Sequence, residues 1–331
     1  MRTRSLVVAL CLTASWGLAT QRLPGGSDSA SQSPRRYLII QDGKRGFIDR
    51  EGRVVIPPQF SWVGNFHEGL APAQTGTRYG YIDRAGRMAV PPQFEWAGDF
   101  SEGLAVVRVR SKTGYINRQG QVVIPARFDW GWDFSEGLAR ILLGKYGYID
   151  LHGEIKIPPQ FINPWQFHEG LAAVKIRGHW GYLDKTGNLA IPTKFHWDWD
   201  FSEGLAMVQE GEKFGYIERT GEIVIPLRYD FASNFSEGLA AVGNGDRWGF
   251  IDKKGTMVIP ADFQWAADFS EGLAGVRVGP KWGFIDAKGK TVIAPQFDQV
   301  GRFGGGLAPV ELGQKWGYLD ASGKFVWRPT S

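Results

Sequence analysis

Lys281-Trp-Gly-Phe-Ile-Asp286, then Ala-Lys-Gly289, then Thr291-Val-Ile-Ala-Pro-Gln-Phe297, is one copy of a pattern that fills the chain. Its central glycine recurs at Gly46, Gly80, Gly114, Gly147, Gly181, Gly215, Gly249, Gly283 and Gly317, evenly spaced but for a single step that is one residue short. A fixed period of this length marks a repeat architecture in which each copy is one supersecondary unit. The spacing inside the copies is as regular. A proline lies eleven residues after the glycine in seven of eight units, as at Pro57, Pro91 and Pro260. An aromatic follows three residues later (Phe60, Phe94, Tyr229) and another six after that (Phe66, Phe100, Phe235), before a Gly-Leu-Ala. The one missing residue falls between Gly137 and Gly147, around Gly144 and Lys145. A hairpin loop absorbs such a deletion without disturbing the strands on either side.

Each unit reads as three short strands. Leu104-Ala-Val-Val-Arg-Val109 is the type of the first, Trp282 to Asp286 of the second, and Val54-Val-Ile-Pro-Pro-Gln-Phe60 of the third. These are β-branched and aromatic runs bounded by turn residues, with no helical period between them. Asp-x-x-Gly joins strands two and three (Asp49 to Gly52, Asp286 to Gly289). Asp at the first turn position bonds its own turn backbone, and Gly at the fourth takes a positive φ. The strand-three proline has no N–H to give, which places that strand at a sheet edge. Phe-Ser-Glu-Gly then turns the chain into the next unit, its glycine again free to adopt a positive φ.

The Lys281–Asp286 run, the Val-Ile-Pro run and the Phe-Ser-Glu-Gly-Leu-Ala run resemble the WG (KWG) β-repeats of bacterial proteins, over about residues 36–328. Trp holds the signature position only at Trp180, Trp248, Trp282 and Trp316; Tyr79, Tyr146, Phe214, Arg45 and Thr113 stand in elsewhere. The resemblance implies a binding scaffold and names no partner. Two all-β arrangements suit about nine such units. The expectation is an open superhelical array of three-stranded meanders, because so short a unit is small for a propeller blade. The terminal units also depart most from the pattern, as the exposed ends of an open array would. The alternative is a closed, propeller-like ring.

The flanks point to export. Arg2 and Arg4, the apolar Leu6–Ala14 stretch and small residues at Gly17 and Ala19 read as a signal peptide over residues 1–20. A lipid anchor at Cys11 is the weaker alternative, since bulky Leu10 precedes it. Residues 21–35 read as a polar linker and residues 36–331 as the repeat array. Cleavage removes Cys11, the sole cysteine, so the mature chain has no disulfide, thiolate metal site or cysteine nucleophile. The expected location is extracytoplasmic, secreted or periplasmic, with no transmembrane span.

Composition narrows the function classes. Fourteen Trp and 45 Gly favour turns and aromatic packing. A formal charge of +4 with scattered Lys and Arg gives no basic patch for nucleic acid. The Asp residues recurring at 49, 83, 150, 184, 252, 286 and 320 belong to turns. No metal-spaced His pair, phosphate loop or nucleophile elbow is present. No catalytic, cofactor or metal residue is therefore assigned, and the expectation is a non-enzymatic scaffold for a protein or cell-envelope glycan partner. The candidate ligand surface is an aromatic stripe at Trp62, Trp96, Trp130, Trp197 and Trp265, two residues past the strand-three aromatic. Phe231 shares its register, and Trp132, Trp165 and Trp199 lie close by. Stacked units align these rings into a ladder suited to sugar rings or an extended partner. The competing reading makes each Trp a core wedge between neighbouring units. A basic column (Lys44, Arg78, Lys112, Lys145, His179, Lys213, Arg247, Lys281, Lys315) and a Glu column (Glu68, Glu102, Glu136, Glu169, Glu203, Glu237, Glu271) are expected to interleave as ion-pair ladders.

Overall fold

A computed structural model describes residues 35–328; the expected signal peptide and nearly all of the expected linker lie outside the described residues. The three strands of each unit form as read. In the third unit they are Leu104–Val109, Lys112–Asn117 and Val122–Phe128, paired antiparallel in chain order. A fourth strand, unforeseen in the sequence, precedes them: Trp96–Ser101 in this unit, and only two residues long in several others, such as Trp62–Val63 and Trp265–Ala266. The described residues thus form nine small sheets, seven of them four-stranded. They are numbered here as blades one (Tyr37–Phe60), two (Trp62–Phe94), three (Trp96–Phe128), four (Trp130–Phe161), five (Leu171–Phe195), six (Trp197–Tyr229), seven (Phe231–Phe263), eight (Trp265–Phe297) and nine (Gln299–Trp327). Blades one and five have three strands.

The signature glycine has a steric cause. Gly215 lies where the outer strand bulges across it, so that an added Cβ would stand 2.5 Å from Ile225 O and 2.8 Å from Leu227 N. The ladder skips at this point, from Phe214↔Tyr229 to Tyr216↔Ile225. The same backbone crossing recurs at all eight signature glycines from Gly46 to Gly283. Pro226 sits in that bulge, where no ladder N–H is required. The outer strand is the blade's edge, as its proline foretold, and its first residues are exposed while the strands behind it are buried.

Neighbouring blades are fastened by a repeated set of contacts. The aromatic after each signature glycine meets, close to edge-on, a Phe of the next blade's entry, as in Tyr81–Phe100 with ring centroids 4.8 Å apart. Each Tyr at that position in blades two to six is held by its hydroxyl. Tyr81, for example, donates to Gly98 O at 2.8 Å. The glycine of each Asp-x-x-Gly turn packs on the outer-strand Ile or Val of the preceding blade, as Gly255 does on Ile225. Aromatic pairs of this kind contribute about 0.5–1.5 kcal/mol beyond their buried area.

Blades nine and one repeat this set, and the ring is closed. Tyr318 of blade nine meets Tyr37 of blade one at 5.6 Å, and its hydroxyl donates to Leu38 O at 2.8 Å. Gly52 packs on Val326, and Tyr37, Ile39, Ile48, Leu307 and Tyr318 form one buried cluster. Gly304-Gly305-Gly306 stands where other blades have Ser-Glu-Gly, and its bare backbone makes room for the side chains of Arg35, Tyr37 and Arg50. The protein is a nine-bladed β-propeller. This corrects the open superhelical array and bears out the alternative ring. The atypical end units were read as caps against water, but each is shaped to fit the other. A short inner strand lets so compact a repeat make a blade.

Candidate functional site

Each blade turns the same two kinds of loop to the two faces of the disc. One face carries the Ser-Glu-Gly and Asp-x-x-Gly turns. The other carries the hairpin tips between the Leu-Ala strand and the signature strand, such as Arg110-Ser111, together with the one-residue crossings from an outer strand to the next inner strand, such as Glu95.

The turn face is a fastening surface. In the Ser-Glu-Gly turns both Glu and Gly have positive φ, for instance 54° at Glu203 and 84° at Gly204. Two-residue hairpins with both residues left-handed match strand twist, but Asn or Gly is the usual occupant. Glu in this conformation costs on the order of 1–2 kcal/mol. A contact to the next blade accompanies it. Glu203 Oε2 accepts from Gly238 N at 3.0 Å and pairs with Lys253 Nζ at 3.1 Å, and every Glu from Glu68 to Glu271 accepts a backbone N–H one blade on. Partial burial pushes the Glu136 carboxyl up, but the Gly170 N–H and Lys185 outweigh it and hold the group below the usual carboxylate range. The turn aspartates behave as expected from their spacing. Asp252 Oδ1 accepts from Lys254 N and Thr256 N at 2.9 Å each, and these bonds, that from Thr256 first, depress its pKa.

The basic column lies on the opposite, hairpin face, and no ion pair among the described residues joins it to the Glu column. The expected interleaved ladders are corrected. Lys112, Lys213 and Lys281 pair instead with Asp129, Asp230 and Asp298 at 2.7, 2.6 and 2.5 Å. Those same aspartates accept N–H bonds from Gly144, Gly245 and Gly313 in the next blade's hairpin. The two columns are separated because a strand's length lies between the turns that hold them. Gly144 sits at a hairpin tip, where the missing residue was placed.

The aromatic stripe also belongs to the hairpin face. Trp62, Trp96, Trp130, Trp197, Trp265 and Phe231 all lie on innermost strands and are all half-buried. Ring closure turns the ladder into a circular band, interrupted by Asn163 in blade five, by Gln299 in blade nine and at blade one, which has no inner strand among the described residues. Only Trp96 and Trp130 of the five touch one another, at 5.7 Å. Trp197 and Trp265 pack on the signature Trp of the preceding blade, Trp180 at 6.1 Å and Trp248 at 4.8 Å. Trp62 meets Tyr79 edge-on at 5.4 Å, with Arg45 6.0 Å from its ring. Each ring therefore packs on neighbouring side chains while staying only half-buried.

The band is uneven. Two residues along from the stripe stand Gly64, Gly98, Trp132, Trp165, Trp199, Ser233, Ala267 and Gly301, so Trp holds this position in blades four, five and six alone. Blade five replaces its inner strand by Ile162-Asn163-Pro164-Trp165. There Asn163 has φ 53°, Ile162 is 73% exposed and Trp165 37% exposed. Arg140 lies 3.9 Å over the Trp132 ring and donates to Pro164 O, fixing that loop. Burial lowers its pKa. The Asn-Pro pair in an inner-strand register was the available signal for this irregularity. Arg140 carried none, because its role depends on contact with a different blade.

No curated protein matches this chain in sequence. In fold it is similar to a eukaryotic initiation factor structure, with TM-score 0.62 and 13% identity over 88% of this chain and 95% of that one. It is also similar to BamB from Moraxella catarrhalis (TM-score 0.47, 10% identity, 79% and 94% covered) and to the dihydro-heme d1 dehydrogenase NirN (TM-score 0.45, 10% identity, 83% and 78% covered). Identities this low show fold alone. The WG containing repeat matches eight times, over residues 46–76, 79–112, 114–145, 146–178, 180–214, 214–248, 248–282 and 282–316. Tiled along nearly all of the described ring, those matches make the chain a member of the WG repeat family.

Proposed function

We propose that this protein is an extracytoplasmic, non-enzymatic binding scaffold whose working surface is the hairpin face of the propeller. One observation carries the proposal: large, half-buried aromatic side chains are gathered on that face. Half-buried Trp offers large contact area at little conformational cost, together with a polar N–H. The export reading rests on residues 1–20, and the partner is a protein or a component of the cell envelope. Recovery of the chain from the medium or periplasm with an N-terminus just past Ala19 supports export; retention of Met1 on a cytoplasmic product overturns it. Biotinylated protein used to capture envelope partners tests the surface. The doubly substituted Arg78→Glu, Lys112→Glu variant, altered on the hairpin face, should lose the captured partner, and Arg118→Glu on the turn face should keep it. The reverse pattern rejects the assignment. Carbohydrate recognition is a second reading, favoured by the concentration of Trp in blades four to six.

A further inference from the structure

We infer that blades four to six form a single saccharide-binding site, centred on the broken inner strand of blade five and taking a polysaccharide chain. The inference rests on the carbohydrate reading above and narrows it to one sector of the ring. A nine-fold repeat supplies the same chemistry nine times, so a sector that departs from it is where a ligand specific to one place would be held. Here the departures coincide.

The aromatic rings run almost without a break across the sector. Trp130 lies 6.4 Å from Trp132, which lies 5.6 Å from Tyr146. Trp165 lies 6.4 Å from Trp180, Trp180 6.1 Å from Trp197, and Trp197 6.0 Å from Trp199. Arg140 joins the two runs, with its guanidinium over Trp132 and its bond to the carbonyl before Trp165. Elsewhere the inner position holds Gly, Ser or Ala, and blades seven and eight carry a shorter run, Phe231–Trp248–Trp265. Two N–H donors in the sector, Trp180 Nε1 and Arg140 Nε, are buried without a partner.

Charge and polarity choose the ligand class. Polar side chains bordering the arc at its exposed edge include Asn163, His179, His196 and Gln209, and the cations within it, Arg108, Arg140 and Lys175, each lie over an indole ring. His179 and His196 lie 5.7 Å apart. Amide and imidazole groups donate and accept hydrogen bonds without demanding a counter-charge, which suits hydroxyl groups. Nucleic acid would need a basic groove. Partly exposed indole rings suit the C–H faces of sugar rings, and the Ile162–Trp165 segment carries one of them, Trp165, at the surface.

Trp165 is the decisive residue, because it can be truncated without loss of its backbone anchors. Its N–H donates to Ala173 O at 2.8 Å and its carbonyl accepts from the Tyr148 hydroxyl, and neither bond involves the indole. The test is co-sedimentation of the full chain with insoluble cellulose, chitin and peptidoglycan sacculi, with thermal melts of every variant confirming the fold. Retention on one of these, weakened at least about tenfold by Trp165→Ala and partly restored by Trp165→Phe, supports the site. Trp62→Ala in blade two, outside the arc, should leave retention unchanged. Undiminished retention by Trp165→Ala overturns the site while leaving carbohydrate recognition standing. Failure of the wild type to sediment with any of the three overturns both, as does retention that follows the net charge of the matrix and vanishes in salt.

Discussion

Replacing Gly215 by Ala adds one methyl group where the outer strand of blade six crosses the signature position. Its Cβ would lie 2.5 Å from Ile225 O and 2.8 Å from Pro226 C, both backbone atoms that no rotamer change can move. Ordinary carbon contacts need about 3.5 Å, so the outer strand must retreat by about 1 Å. Overpacking of this kind costs about 1–3 kcal/mol. The ladder pairs Phe214↔Tyr229 and Tyr216↔Ile225 flank the crossing. Loosening them adds about 1 kcal/mol for each bond lost, giving a total of about 2–5 kcal/mol. Gly238→Ala is the internal control. Gly238 also has a positive φ, but open space surrounds it. Only backbone strain of about 1–2 kcal/mol is expected there. Urea titration gives the difference, and amide exchange should place the damage of Gly215→Ala in the outer strand of blade six and in Gly255, which packs on Ile225. A Gly215→Ala penalty no larger than that of Gly238→Ala would refute the steric account of the signature.

Acid should weaken the ring. Asp184, Asp252 and Asp320 titrate below an ordinary Asp. Their stabilisation is therefore complete above about pH 4, the unfolded value, and is lost as pH falls through the lower folded values. Urea midpoints should drop from about pH 5 downward, and Asp252→Asn, which copies the natural Asn117 turn, should flatten that slope. Asp200 works in the opposite sense, since burial raises its pKa against the attraction of His168 and Arg140; its protonation favours the fold, and Asp200→Asn should stabilise the protein near neutrality. Glu203→Gln keeps an acceptor for Gly238 N–H but loses the charge opposite Lys253. A cost of at most about 1 kcal/mol is expected in urea titration. Tyr318→Phe removes only the hydroxyl bonded to Leu38 O, as Tyr216→Phe does at an internal seam. Each should cost about 1 kcal/mol; a negligible cost for Tyr318→Phe alone would argue that the seam is loose.

Strand identities, the Asp-x-x-Gly turns and the edge position of the proline strand were legible because each depends on residues close in sequence. The inner strand was not. Trp62–Val63 pairs with Leu70–Thr75 by only two residues, too few for a period to show. Closure was equally hidden, since Tyr37 and Gly304–Gly306 have meaning only once the two ends meet. The aromatic stripe was visible as a register, but its half-open state depends on which signature residue the preceding blade supplies, Trp180 in one case and Arg45 in another. The Glu column misled for a related reason. Its partner is a backbone N–H one repeat further on, and a backbone group carries no signature in sequence.

Closure of the ring is the claim on which the faces, the seam and the aromatic band all depend. Pulsed dipolar spectroscopy tests it directly, with spin labels at Lys44→Cys and Lys315→Cys in a Cys11→Ser background. These exposed residues hold the same hairpin register in blades one and nine. Closure predicts a distance distribution matching that of the Lys44→Cys, Arg78→Cys pair, which labels blades one and two. A separation several times larger, as expected across an extended row of units, would contradict the ring.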